Sequence, residues 1–210
     1  GGVALRGGFV LRQLTEGLGV GGGDALAQRR MYRDLSRGEA AVPGSGKLEA
    51  GLRGRAPENF RVHRVAADGR CLFRALAVGL SRAGGSTLSG QEEERQADEL
   101  RELAVGALCG HHVRRELEPA LFSVKAEFGD DISAYCERAL RPTFWGGHAE
   151  LIVLSKLLKR SVVVYVPHRE AGGTSPGFVP IVSLEPHLAR RSCGPLRLLY
   201  TNGNHYDLLC

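Results

Sequence analysis

The chain reads as an α/β protein, a small central sheet with helices around it. Three features carry this reading. Apolar residues recur at helical spacing in successive segments between Cys71 and Leu158. Short runs rich in β-branched and apolar residues then occupy positions 161–166, 178–183, 196–201 and 205–209. Between the last two runs sits Asn202-Gly203, a pair that favours the tight turn of a two-residue hairpin.

In chain order, residues 1–57 are dense in glycine and contain Ala-Ala-Val-Pro-Gly-Ser-Gly at 40–46. They are expected to form a largely flexible leader, with one short helix from Asp24 to Leu35 capped by Asp24. The folded domain is expected over 58–210. Phe60 to Ala66 alternates and predicts a strand that enters the Asp68-Gly69 turn. Leu72, Phe73, Leu76, Ala77 and Leu80 share one helical face, so a helix should start at Cys71; Gly84-Gly85-Ser86 breaks it. Gln91 to Leu108 places Leu100, Leu103, Ala104, Ala107 and Leu108 on one face of a long helix. A further helix is expected over 113–121. Another starts at Asp130-Asp131, carries Ile132, Tyr135, Cys136, Ala139 and Leu140, and ends at Pro142. Trp145-Gly146-Gly147 predicts a turn before a helix from His148 to Leu158. Strands then follow the runs named above, with a Gly-rich loop at 172–177 and His205 near the start of the last strand.

Composition narrows the function classes. The chain has 210 residues, 43% of them apolar and 24% charged, which suits one globular domain. No run approaches the ~18 apolar residues of a membrane span, so no membrane partner is expected. No signal peptide is visible; the chain begins at Gly1 and its only methionine is Met31, which leaves any targeting signal out of view. The five cysteines, Cys71, Cys109, Cys136, Cys193 and Cys210, form no C-x-x-C pair. Their odd number and helical context predict reduced thiols and a cytoplasmic or nuclear location rather than a disulfide framework. The net charge is +5, and residues 1–59 hold nine Lys/Arg against six Asp/Glu. No dense basic tract follows from this, and nucleic-acid binding is not indicated.

Three weak motifs are set aside. Gly17-Leu18-Gly19-Val20-Gly21-Gly22 fits G-x-G-x-x-G, but the segment is so glycine-rich that chance matches are expected, and no βαβ unit follows. His148-Ala149-Glu150 matches half of a zinc deaminase site but lacks the P-C-x-x-C that completes it; Glu150 is better read as a first-turn helix residue. His111 and His112 are adjacent and point to different faces of a helix. No metal and no cofactor are expected.

The chemistry-bearing residues are Cys71, His205 and Asp207. Cys71 follows an Asp-Gly turn and opens a helix, whose free N–H groups and positive dipole end favour thiolate. Residues 205 and 207 of a strand point to one face, so Asp207 can hold one imidazole nitrogen while the other reaches a thiol. Nucleophile, base and orienter together make a hydrolase. Cys109, Cys136, Cys193 and Cys210 have no such context. Trp145 is by default a core residue, but Gly146-Gly147 beside it offers bare backbone to an extended peptide.

Asp68-Gly-Arg-Cys-Leu-Phe-Arg-Ala75, Trp145-Gly-Gly-His-Ala-Glu-Leu151 and Asn204-His-Tyr-Asp207 together resemble the ovarian tumour (OTU) family of cysteine peptidases. The likeness covers about residues 58–210. It implies a papain-like fold and a deubiquitinase that cleaves the isopeptide bond at the C-terminal glycine of ubiquitin, so that ubiquitin or polyubiquitin chains are the implied partners. On the matching positions Cys71 is the nucleophile and His205 the general base. Two acidic residues compete: Asp68 lies in the cysteine block, and Asp207 lies two residues beyond the histidine. Strand geometry favours Asp207 as orienter. Asp68 suits shaping a turn whose N–H groups, around 68–71, hold the oxyanion. Gly69, Arg70, Trp145, Gly146, Gly147, Asn204 and Tyr206 are the implied substrate contacts. Two alternatives remain: an idle ubiquitin-binding module, or a cysteine hydrolase of another acyl substrate.

Overall fold

A computed structural model describes residues 55–110, 117–168, 177–186 and 194–210. The leader through residue 54, its expected helix at 24–35, His111-His112, Cys193 and the loop 172–176 lie outside the described residues. Strand β1 (Val62–His63) leads to helix α1 (Cys71–Ala83), α2 (Gly90–Cys109), α3 (Glu118–Phe128), α4 (Ile132–Cys136) and α5 (His148–Leu157). Strands β2 (Val162–His168), β3 (Gly177–Leu184), β4 (Leu196–Thr201) and β5 (His205–Leu209) complete the chain.

The five strands form one sheet in the order β1-β5-β4-β2-β3. Only β2 and β4 run parallel; the other neighbours are antiparallel. The β4–β5 loop has three residues rather than the expected two, since Thr201 pairs with His205; it turns at Asn202 and Gly203, with φ of 56° and 78°. Positive φ at both positions is the demand of this turn, and Asn-Gly meets it at least cost.

The helices cover one sheet face. Leu72, Phe73 and Leu76 of α1, Leu100 and Leu103 of α2, and Leu151 and Leu154 of α5 meet Val162, Val164, Leu198, Tyr206 and Leu208 in one buried cluster. The opposite face carries a smaller cluster of Tyr165, Phe178, Leu199 and Leu209 under Phe60, Val62 and Val163. Phe60 stacks edge-on to Tyr165 at 5.2 Å. The backbone of Glu58 exchanges hydrogen bonds with Phe178 (2.9 and 2.8 Å), and that of Arg61 with Cys210 (both 2.9 Å). The segment ahead of β1 thus ties β3, at one edge of the sheet, to β5, next to the other edge.

Three expectations are corrected. The strand over 60–66 is only two residues long, because the Val65 N–H leaves the ladder for the Asp207 carboxylate, at 3.1 Å. The helix from Asp131 stops at Cys136 rather than Leu140; beyond it, Arg138 and Arg141 donate to carbonyls three residues back, tightening the chain into turns. Cys109 and Cys136 are not free thiols. The ends of α2 and α4 bring their Cα atoms to 6.0 Å, and a disulfide joins them across 27 residues of sequence. Among the described residues the free cysteines are Cys71 and Cys210. No described helix is long and apolar enough to cross a membrane.

Candidate active site

Helix α1 delivers Cys71 as its first residue. The Cys71 N–H donates to the Asp68 carbonyl at 3.1 Å, closing the turn that starts the helix. Cys71 is 1% exposed. Its Sγ lies 3.8 Å from the Asn204 carbonyl oxygen and accepts from the Tyr206 and Leu72 N–H groups. The sulfur is therefore seated on the backbone either side of His205, 133 residues away in sequence.

Burial is the largest influence on this thiol and pushes it up to about 11; the two N–H donors oppose that, and the Asp68 and Asp207 charges add to it. The expectation is that His205 and the helix end together prepare the thiolate; burial leaves the larger part to the histidine. Desolvation outweighs the dipole here, so an ionised sulfur requires a base to take its proton.

His205 is the base the sequence predicts for that, although no hydrogen bond joins its ring to the sulfur among the described residues. Its Nε2 lies 3.0 Å from Asp207 Oδ1, and its Nδ1 is buried without a hydrogen-bond partner among the described residues. Asp207 is fully buried. Its Oδ1 also accepts from the Val65 N–H at 3.1 Å, and its Oδ2 from the Arg64 guanidinium at 3.0 Å. A carboxylate so buried stays charged only when its lone pairs are met by donors, and three are present.

Asp68 does different work. Its Oδ1 accepts from the Arg70 N–H at 2.9 Å, and its carboxylate pairs with the buried Arg74, at 3.0 Å to the nearest nitrogen. Arg74 also reaches Glu93 (3.2 Å) and Glu94 (3.0 Å) of α2. Among the described residues Asp68 makes no hydrogen bond or ion pair with His205, and it is bound to the nucleophile's own turn. The Arg70 and Cys71 N–H groups, expected to be open to an oxyanion, already donate to Asp68. An oxyanion would join these bonds as a second acceptor.

A family model for the OTU-like cysteine proteases matches residues 66–206. The chain belongs to this family. It is 40% identical over 162 residues to "OVARIAN TUMOR DOMAIN-containing deubiquitinating enzyme 3" of Arabidopsis thaliana, covering 72% of this chain and 68% of that protein. A second Arabidopsis relative, "OVARIAN TUMOR DOMAIN-containing deubiquitinating enzyme 4", is 29% identical over 184 residues; the alignment takes in 85% of this chain and 53% of the relative. Among solved structures, the OTU domain of OTUD1 aligns with a TM-score of 0.48 and 19% identity, over 79% of this chain and 93% of that one.

The remaining predicted site residues of this OTU-family chain fall into two groups. Asn204 offers its carbonyl to Cys71, and Tyr206 its N–H. The Tyr206 ring is fully buried against Tyr200, which removes it from any substrate-facing surface. Gly69 is packed so closely that an added Cβ would lie 2.2 Å from the Pro142 carbonyl oxygen. Arg70 turns to α2, 2.8 Å from Asp98 and 3.3 Å from Glu94. Gly146 is bare for an internal reason: a Cβ there would stand 2.7 Å from the Phe73 ring. Gly147 caps α5, and its N–H donates to Glu150 at 2.5 Å; the other Glu150 oxygen accepts from the Tyr135 hydroxyl. Trp145 is partly buried against the core. The side chains of Arg70 and Tyr206 and the packing around Gly69 and Gly146 are thus engaged by contacts within the chain.

Three residues with clear positions in the site escaped the sequence reading. Arg64 and Val65 hold Asp207 from a different element. Arg101 is 1% exposed. It donates to the Gly69 (2.8 Å), Ala139 (3.2 Å) and Phe144 (2.9 Å) carbonyls and lies over the Phe73 ring. It fixes the turn before Cys71 against the 139–144 segment. A charged residue on the apolar face of a predicted helix was the available signal.

Proposed function

We propose that this chain is a cysteine-dependent deubiquitinase, cleaving the bond between the C-terminal glycine of ubiquitin and a lysine amine or peptide nitrogen. The observation that carries the reading is the seating of Cys71 Sγ on the backbone flanking His205, with the imidazole held by a buried carboxylate. The names of the two plant relatives support the substrate class.

In this reading the substrate carbonyl reaches Cys71, and His205 takes the thiol proton as sulfur attacks the carbonyl carbon. The oxyanion is held by N–H groups at the start of α1. His205 then protonates the leaving amine, the C–N bond breaks and a thioester remains. Water, deprotonated by His205, attacks the thioester and releases ubiquitin's carboxylate and the free thiol. Asp207 holds Nε2, which leaves Nδ1 to act as the base. Such a substrate places the protein in the cytoplasm or nucleus, where the Cys109–Cys136 bond would form against a reducing pool.

The catalytic unit is proposed to begin near residue 57. Pro57 packs on Gly177, Glu58 pairs with Phe178 and Phe60 covers Tyr165. A chain starting at residue 55 should keep full activity, whereas one starting at 62 should lose cooperative unfolding.

The test of function is hydrolysis of a fluorogenic C-terminal amide of ubiquitin and of a panel of diubiquitins. Wild type should release fluorophore and cleave at least one linkage, and Cys71→Ala should do neither while keeping its circular dichroism spectrum. A wild type that binds ubiquitin without turnover would make it an idle binding module. Turnover that survives Cys71→Ala would overturn the nucleophile assignment.

A further inference from the structure

Asp207 is fully buried, yet one of its partners is not: the Arg64 side chain is 76% exposed. The contacts divide cleanly between the two carboxylate oxygens. Oδ1 is shared by His205 Nε2 (3.0 Å) and the Val65 N–H (3.1 Å); Oδ2 accepts from Arg64 Nη1 (3.0 Å). Two donors on one oxygen leave the carboxylate free to swing about its bond to Cβ unless the other oxygen is also held. Arg64 holds it and, among the described residues, is the guanidinium paired with this carboxylate.

We propose that Arg64 is a positioning residue for the reaction: through Asp207 it fixes the orientation of the His205 ring. The proposal rests on the catalytic reading of Cys71 and His205 given above. Arg64 touches neither of them, and acts only through Asp207.

The groups that face Asp207 are few. On its own strand there is His205, and on the segment after β1 there is Arg64. From α1, Cys71 lies close enough for the Asp207 charge to act on its sulfur. The β4 residue opposite is Leu199, which is apolar. His63, next to Arg64 in sequence, turns away and meets the Arg82 guanidinium at 2.7 Å. Arg64 therefore has no rival among these neighbours as the source of compensating charge.

The Arg64 side of this ion pair is exposed, so salt screens it: the Debye length falls from ~10 Å at 0.1 M salt to ~3 Å at 1 M.

The experiment is steady-state ubiquitin-amide hydrolysis by the full chain, wild type against Arg64→Gln and Arg64→Lys, in low and high sodium chloride. Arg64→Gln should lose roughly tenfold in kcat with KM unchanged. Arg64→Lys should restore most of that loss. High salt should lower the wild-type kcat towards that of Arg64→Gln and leave the variant unmoved. Equal losses in both variants, tracking a fall in melting temperature, would assign Arg64 a structural role only. An unchanged kcat in Arg64→Gln would also overturn the proposal. Failure of the deubiquitinase reading would show separately, as a wild type with no turnover; Arg64 would then be read from site-resolved alkylation of Cys71 at pH 7, with an unmoved rate in Arg64→Gln again counting against it.

Discussion

Asp68 and Asp207 are the same residue type on opposite sides of Cys71, and the fold uses them differently. Asp207 has no exposed surface and gives one oxygen to the histidine. Asp68 is 35% exposed and gives its oxygens to Arg74 and to the N–H of the nucleophile's turn. One carboxylate acts across the molecule, joining β5 to the segment after β1. The other acts within six residues of itself, closing a turn and pinning it to α2 through Arg74. A carboxylate's role is set by which donors surround it rather than by its nearness in sequence to the nucleophile.

The sharpest way to break this comparison is to remove each in turn. Asp207→Ala should cost the most, because an unheld imidazole adopts the wrong tautomer or orientation; the equivalent loss reaches ~10⁴ in a serine protease. Asp68→Ala should cost ~10²–10³, the scale of one misplaced oxyanion donor. Both are read as kcat on the ubiquitin amide. A larger loss in Asp68→Ala than in Asp207→Ala would exchange their roles.

Stability sharpens the same contrast. The Cys109–Cys136 bond fastens the C-terminus of α2, the helix that anchors Arg70 and Arg74 on the Asp68 side. Closing 27 residues should be worth about 3.5 kcal/mol, so Cys136→Ser should lower the unfolding free energy from urea titration by that amount and abolish its dependence on reductant. Gly69→Ala should cost a little less, about 1–3 kcal/mol, because the new methyl meets the backbone of Pro142 and Thr143 rather than a side chain that can move. A neutral Gly69→Ala would mean that the turn is softer than its packing implies.

Local signals in the sequence carried much of this. The start of α1 at Cys71 and the Asn202-Gly203 hairpin are written in adjacent residues, and both appear where the residue pattern put them. So does the shared face of His205 and Asp207, since alternation in a strand is local. What could not be read is set by distant partners. β1 is cut short because Val65 bonds a side chain 142 positions away. Cys109 and Cys136 have no motif spacing, and only the packing of α2 on α4 brings them together. The bareness of Gly146 answers to Phe73, which no neighbour in sequence announces. The burial that pushes the Cys71 thiol up to about 11 comes from distant packing, whereas the helix start beside it is local.

The most direct test of the division between the two carboxylates is the rate at which iodoacetamide alkylates Cys71 at pH 7, resolved by mass spectrometry from Cys193 and Cys210. Burial opposes ionisation of this thiol, so its neutral-pH reactivity depends on His205 accepting the proton. Asp207→Ala removes the support for that imidazolium and should slow alkylation. Asp68→Ala removes a negative charge that raises the thiol's pKa, and should leave the rate unchanged or faster. Slower alkylation in Asp68→Ala, with Asp207→Ala matching wild type, would contradict the account.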